Sequence, residues 1–155
     1  MIYEMIALSN SFDEVLDEIK KLDGPIGIMI FGPESRLKSM IYHKVVNSSD
    51  QLFGNKIFTG KNTSLAWIRM DRVSAGNGII VRLNGDASSL PGERHRAILG
   101  LKHSGMKSIV GIYVKSDYPS ETFENGNTSV EKHPPSADGL TMLITVSTSN
   151  LSPLV

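Results

Sequence analysis

Two short stretches, IGIMIF at Ile26–Phe31 and KSIVGIYVK at 107–115, restrict the fold more than any other feature of the chain. Neither shows the apolar–polar alternation of a half-exposed strand, and both are shorter than a typical helix. A continuously apolar strand has both faces covered, as in a parallel sheet with helices packed above and below. Helical patterns stand beside them. Ser11 and Glu14 form a capping box, and Phe12, Val15, Leu16, Ile19 and Leu22 follow at helical spacing until Asp23-Gly24-Pro25 stops the helix. Gly32-Pro33-Glu34-Ser35 breaks the first strand and starts a second helix with Leu37, Met40, Ile41 and Val45 as its buried stripe.

The alternation continues. The sequence predicts a strand over 56–59 and a helix over 64–73, with Leu65, Trp67 and Ile68 as its apolar positions. A strand over 78–83 follows, then a helix from Pro91 to about His103, ended by Gly105, and a last strand over 140–146. Residues 1–8 read as an additional strand. Strands alternating with helices imply right-handed crossovers and a parallel sheet. The expected fold is a single α/β domain over 1–146, three-layered, with a mostly parallel, doubly wound (Rossmann-like) sheet of five or six strands. Residues 116–139 are polar and turn-rich and are expected to form a long loop or lid. Residues 147–155 are expected to be a C-terminal tail.

Composition excludes several classes. A chain of 155 residues with 40% hydrophobic and 21% charged residues is a globular domain, not a disordered or fibrous one. No apolar run approaches the roughly 18 residues that would span a bilayer. The start, MIYEMIALSNSFDE, has no basic region and acquires acids at once, so no signal peptide and a cytoplasmic location are expected. With no cysteine there is no disulfide framework, thiol nucleophile or thiolate zinc site. The formal net charge is zero but unevenly spread. Residues 1–33 carry two bases and six acids, 34–115 thirteen bases and five acids, and 116–155 one base and five acids. Such asymmetry fits either a surface that meets anions or solvated faces of uneven sign.

Open α/β sheets bind ligands at the carboxyl ends of their strands. The turns at 32–36, 59–64, 84–92 and 116–118 converge there. TGKNTS resembles a phosphate loop but lacks its spacing: Gly54 precedes Gly60 by one residue too many, and Asn62 holds the hydroxyl position. A Walker A hydrolase is excluded. What remains is an anion site in which the amides of Gly60 and Thr63 hold an oxyanion and Arg36 and Lys61 supply charge. Ser35 adds a hydroxyl, and Asp86 accepts from ligand hydroxyls or holds a metal. Glu34 is available as a base. The same residue types are also ordinary helix starts, so each position has a purely structural reading beside the functional one.

Other signatures fail. His43, His95, His103 and His133 have no metal-ligand spacing, and G-x-S-x-G and G-x-G-x-x-G are absent. The run GERHRAILGLKHSGMKSIVGIYV from Gly92 resembles the GERR-type box of ParB-like nucleotide-binding proteins. It has one residue fewer between GER and Arg-Ala, and Ser88-Ser-Leu-Pro91 stands where that family has a strand, so no function is carried over. Arg94, Arg96, Lys102 and Lys107, with His95 and His103, read as a solvated helix face, and a nucleic-acid partner is not expected. No catalytic residue or cofactor is identified, and whether the chain is an enzyme stays open. Two function classes remain: a binder of a small anionic, nucleotide- or phosphate-bearing ligand, and a non-catalytic interaction or assembly protein using the fold as a scaffold. Edge strands of such a sheet need blunting or pairing, which makes a homodimer an expectation.

Overall fold

The computed structural model describes residues 12–53, 70–75, 78–83, 91–116 and 126–150. Residues 12–19 are helical (α1) and precede β1 (Ile26–Phe31), α2 (Arg36–Asn47) and the short α3 (Ser49–Phe53). Then come β2 (Met70–Ala75), β3 (Gly78–Leu83), α4 (Pro91–His103), β4 (Ser108–Ser116), β5 (Gly126–His133) and β6 (Met142–Asn150). This is a mixed α/β fold with one mostly parallel sheet in the order β2-β3-β1-β4-β6-β5. The inner strands β3, β1, β4 and β6 run parallel, while β2 and β5 pair antiparallel at the two edges.

Strand alternation divides the apolar residues between two cores. Ile26, Ile28 and Ile30 point to one face, where they meet Ile80, Val110, Ile112 and Ile144. That face is closed by Phe12, Val15, Leu16 and Ile19 of α1 and by Leu37, Ile41 and Val45 of α2. Met29 and Phe31 point to the other face, with Ile79, Val81, Leu83 and Ile109, under Ala97, Ile98 and Leu101 of α4. Every residue of β1 is buried, as its unbroken apolar sequence requires. Farther along the second face the coverage ends. Leu143, Thr145 and Ser147 of β6 alternate with the buried Met142, Ile144 and Val146 and are only partly buried.

Three expectations need correction. The helix expected over 64–73 cannot extend to its end, because Met70–Ala75 is strand β2, paired residue for residue with β3. Met70–Ala75 lies antiparallel to Gly78–Leu83 over six pairs, and this backbone pairing outweighs the loose helical pattern of the stretch. The loop or lid expected over 116–139 contains β5, which is ordered by backbone pairing with β6 over eight residues. The tail expected from 147 is strand over its first four residues, since β6 runs to Asn150. The strands expected over 1–8 and 56–59 and the first part of the 64–73 helix lie outside the described residues.

Candidate functional site

The turn after β1 was expected to hold an anion, and its side chains are committed to the fold. Ser35 is the N-cap of α2, with an extended backbone, and its hydroxyl accepts from the Lys38 amide at 3.0 Å. Arg36 is the exposed first residue of that helix. Glu34 is shared between Arg82 and Lys38, each at 3.0 Å, so its carboxylate is a structural counter-ion. Lys38 is fully buried and donates to the carbonyls of Gly32, at 2.8 Å, and Leu83. Of the predicted ligand residues, Ser35 and Arg36 adjoin at this edge, whereas Gly60, Lys61, Thr63 and Asp86 lie outside the described residues.

A concave site opens on the other face of the sheet. The chain leaving β1 passes α2, α3 and the edge strand β2 before it reaches β3, and the chain leaving β4 runs the opposite way to β5 and β6. Diverging connections leave a crevice between neighbouring strands, the usual ligand position in open sheets. Phe31 of β1 and Tyr113 of β4 are register partners there, with ring centroids 5.2 Å apart and planes tilted by 55°. These rings and Leu143 floor a cleft of about 560 Å³ that α4 covers only in part. Small-ligand sites have volumes of roughly 300–1,000 Å³ and comparable apolar linings with a few polar groups.

The polar groups come from three elements. Arg94, in the first turn of α4, lays its guanidinium 5.4 Å from the Phe31 ring centroid. Its Nε is 2.6 Å from Asp138 Oδ2, but the N–H is not aimed along that line; the directed bond is Nη2 to Oδ1 at 3.1 Å. Asp138 sits in the β5–β6 connection and also accepts from the Ser136 hydroxyl. Thr145 of β6 shares a hydrogen bond with His133 Nε2 at 3.0 Å, and exposed His95 completes the rim. No family model, curated protein or solved structure matches the chain. The assignment of a site therefore rests on this geometry.

Burial alone would raise the pKa of Asp138, but the Ser136 and Arg94 hydrogen bonds and the Arg94 charge outweigh it and hold the carboxyl below its ordinary 3.8. A carboxyl depressed in the folded state contributes its stability fully above the unfolded value and loses it as pH falls through the folded value. Below pH 3.8 the native protein is thus expected to lose stability faster than the Asp138→Asn variant. Urea midpoints of the two proteins between pH 5 and pH 2 measure the difference; parallel curves would remove the ionic role of Asp138.

Sequence reasoning assigned Arg94 to a solvated face, and the structure corrects this. Arg94 precedes Ala97 and Ile98 by three and four residues and so shares their inward stripe, a spacing legible in the sequence. Arg96, Lys102 and Lys107 are exposed, as that reading expected. Asp138 had no comparable signal. Among the described residues, no helix is long and apolar enough to cross a membrane, and no group of three or more acidic or histidine side chains is placed to hold a metal.

Proposed function

We propose that the protein binds a small ligand carrying an anionic group and an apolar or aromatic body in the cleft between α4 and the β1–β4–β6 surface. The observation that carries this reading is Arg94, a cation laid on an aromatic ring at the mouth of a concave, largely apolar site. An Arg fork there recognises carboxylate or phosphate by two parallel hydrogen bonds, while Phe31 and Tyr113 take the ligand body. The reading moves the anion site off the β1–α2 turn to the sheet face under α4, between the first turn of that helix and the connection that enters β6 at its amino end. It assumes the Rossmann-like, doubly wound architecture expected from the sequence, in which ligands collect where connections diverge.

A thermal-shift screen against nucleotides, phosphosugars, coenzymes and organic acids tests it. A ligand present at about 100 times its Kd is expected to add about 2.7 kcal/mol of stability, and Arg94→Ala should abolish the shift. If no anion stabilises the chain and light scattering shows self-association instead, the scaffold and homodimer reading takes its place.

A further inference from the structure

Resting on that reading, we propose that the cleft is built for a zwitterion, an α-amino-acid-like molecule whose carboxylate meets Arg94, whose ammonium meets Asp138 and whose apolar side chain lies on Phe31 and Tyr113. The cleft does not present a bare cation. Arg94 arrives already paired with Asp138, side chains 26% and 33% exposed, so both charges are accessible and neither is fully spent. A phosphate or simple carboxylate approaching Arg94 would come within a few ångströms of the Asp138 carboxylate, and like charges at that range repel. A ligand carrying both signs on adjacent atoms meets both partners without separating them.

The hydrogen-bond inventory agrees. Asp138 Oδ1 already accepts from Ser136 and from Arg94 Nη2, and the carboxylate also takes a backbone hydrogen bond, which leaves about one of its four acceptor positions; no directed hydrogen bond reaches Oδ2 from the nearby Arg94 Nε. Oδ2 therefore keeps acceptor capacity for an ammonium, which is a donor with no acceptor of its own. The aromatic floor supplies the third point of recognition. Phe31 is buried, and Tyr113 and Leu143 are partly buried at the edge of the second core, so an apolar side chain seated there continues that core. Three points of contact of different chemistry also define a handedness, which a purely anionic site would not require.

The test uses the whole chain and an analogue series, read by isothermal calorimetry and by shifts of the Tyr113 ring resonances. The probes are L-phenylalanine, D-phenylalanine, 3-phenylpropionate (no ammonium), 2-phenylethylamine (no carboxylate) and inorganic phosphate. L-Phenylalanine is expected to bind at least roughly tenfold more tightly than either single-charge analogue, since each lacks one charge-assisted contact. Asp138→Asn should weaken L-phenylalanine by a similar factor while leaving 3-phenylpropionate unchanged or tighter. The analogue series needs no variant, so a destabilised Asp138→Asn protein would not obscure the answer. If 3-phenylpropionate or phosphate binds as tightly as L-phenylalanine and Asp138→Asn tightens it, the zwitterion is overturned and the anion site stands. If none of these probes or the wider anion panel binds, both readings fail.

Discussion

Lys38→Ala is expected to lower the folding stability by about 3–5 kcal/mol, the combined cost of taking a charged donor from buried carbonyls and of the void left by a long buried side chain. The Lys38 side chain is wholly buried, and its ammonium is satisfied by the Gly32 carbonyl, the Leu83 carbonyl and Glu34. Two of these acceptors are backbone groups at the ends of β1 and β3, beyond the regular ladder of a parallel pair. A buried carbonyl that loses its donor costs about 1–3 kcal/mol, and alanine would take the charged donor from both while opening a void. Lys38 thus fastens α2 to the carboxyl edge of two neighbouring strands.

Lys38→Met separates these contributions. It keeps most of the volume and removes the donors, so an intermediate loss of about 1–3 kcal/mol is expected. Glu34 is the weaker partner, since its side chain is 40% exposed and water can replace the lysine; Glu34→Gln should cost less than about 1 kcal/mol. Urea denaturation followed by circular dichroism ranks the three variants. A Lys38→Met protein as stable as the parent would mean that the ammonium contributes no net stability, as in buried ion pairs that apolar residues replace without loss.

The second large effect is expected at Gly32. Its φ of +124° lies where L side chains are strained, and a Cβ built there falls 2.2 Å from the Val114 carbonyl oxygen. Both objections are to backbone, so no side-chain rotation relieves them. The unfavourable dihedral costs of the order of 1–3 kcal/mol and forced overpacking a similar amount. Gly32→Ala is accordingly expected to destabilise by about 3 kcal/mol or more and to disturb the β1–β4 contact that underlies Phe31 and Tyr113. Gly92→Ala is the matched control: it lies in α4, nothing would stand within 4 Å of the new methyl, and a gain of about 0.4–1 kcal/mol is expected. Urea midpoints of the two variants decide the matter. An undiminished midpoint for Gly32→Ala would show that the turn can relax.

Some of the candidate site was legible before the structure. Phe31 closes an apolar run and Tyr113 interrupts another, so both strands and their burial were readable from pattern. Arg94 was misread because its charge was given more weight than its position: three and four residues before Ala97 and Ile98, it shares their inward stripe. Lys38 carries the same lesson, for it follows Leu37 and precedes Ile41 by three residues on the buried side of α2. A long side chain with a polar end can occupy an inward position when acceptors are waiting, and only neighbouring elements supply them.

What the sequence by itself determined is whatever depends on neighbours within a few residues. The both-faces burial of β1 follows from an apolar run, α1 and α2 follow from their stripes, and the end of α4 follows from Gly105 with its φ of 95°. Strand β3 and helix α4 stand where their local patterns put them. Tertiary structure decided the rest. Among the described side chains of β5 only Val130 packs against the core, and the strand exists because β6 offers it a ladder of backbone partners. The meeting of Arg94 with Asp138, 44 residues apart, depends on how α4 and the β5–β6 connection lie across the sheet. Pairing partners and charge partners distant in sequence leave no periodic trace, because their energy is realised only after the chain has closed the loops between them.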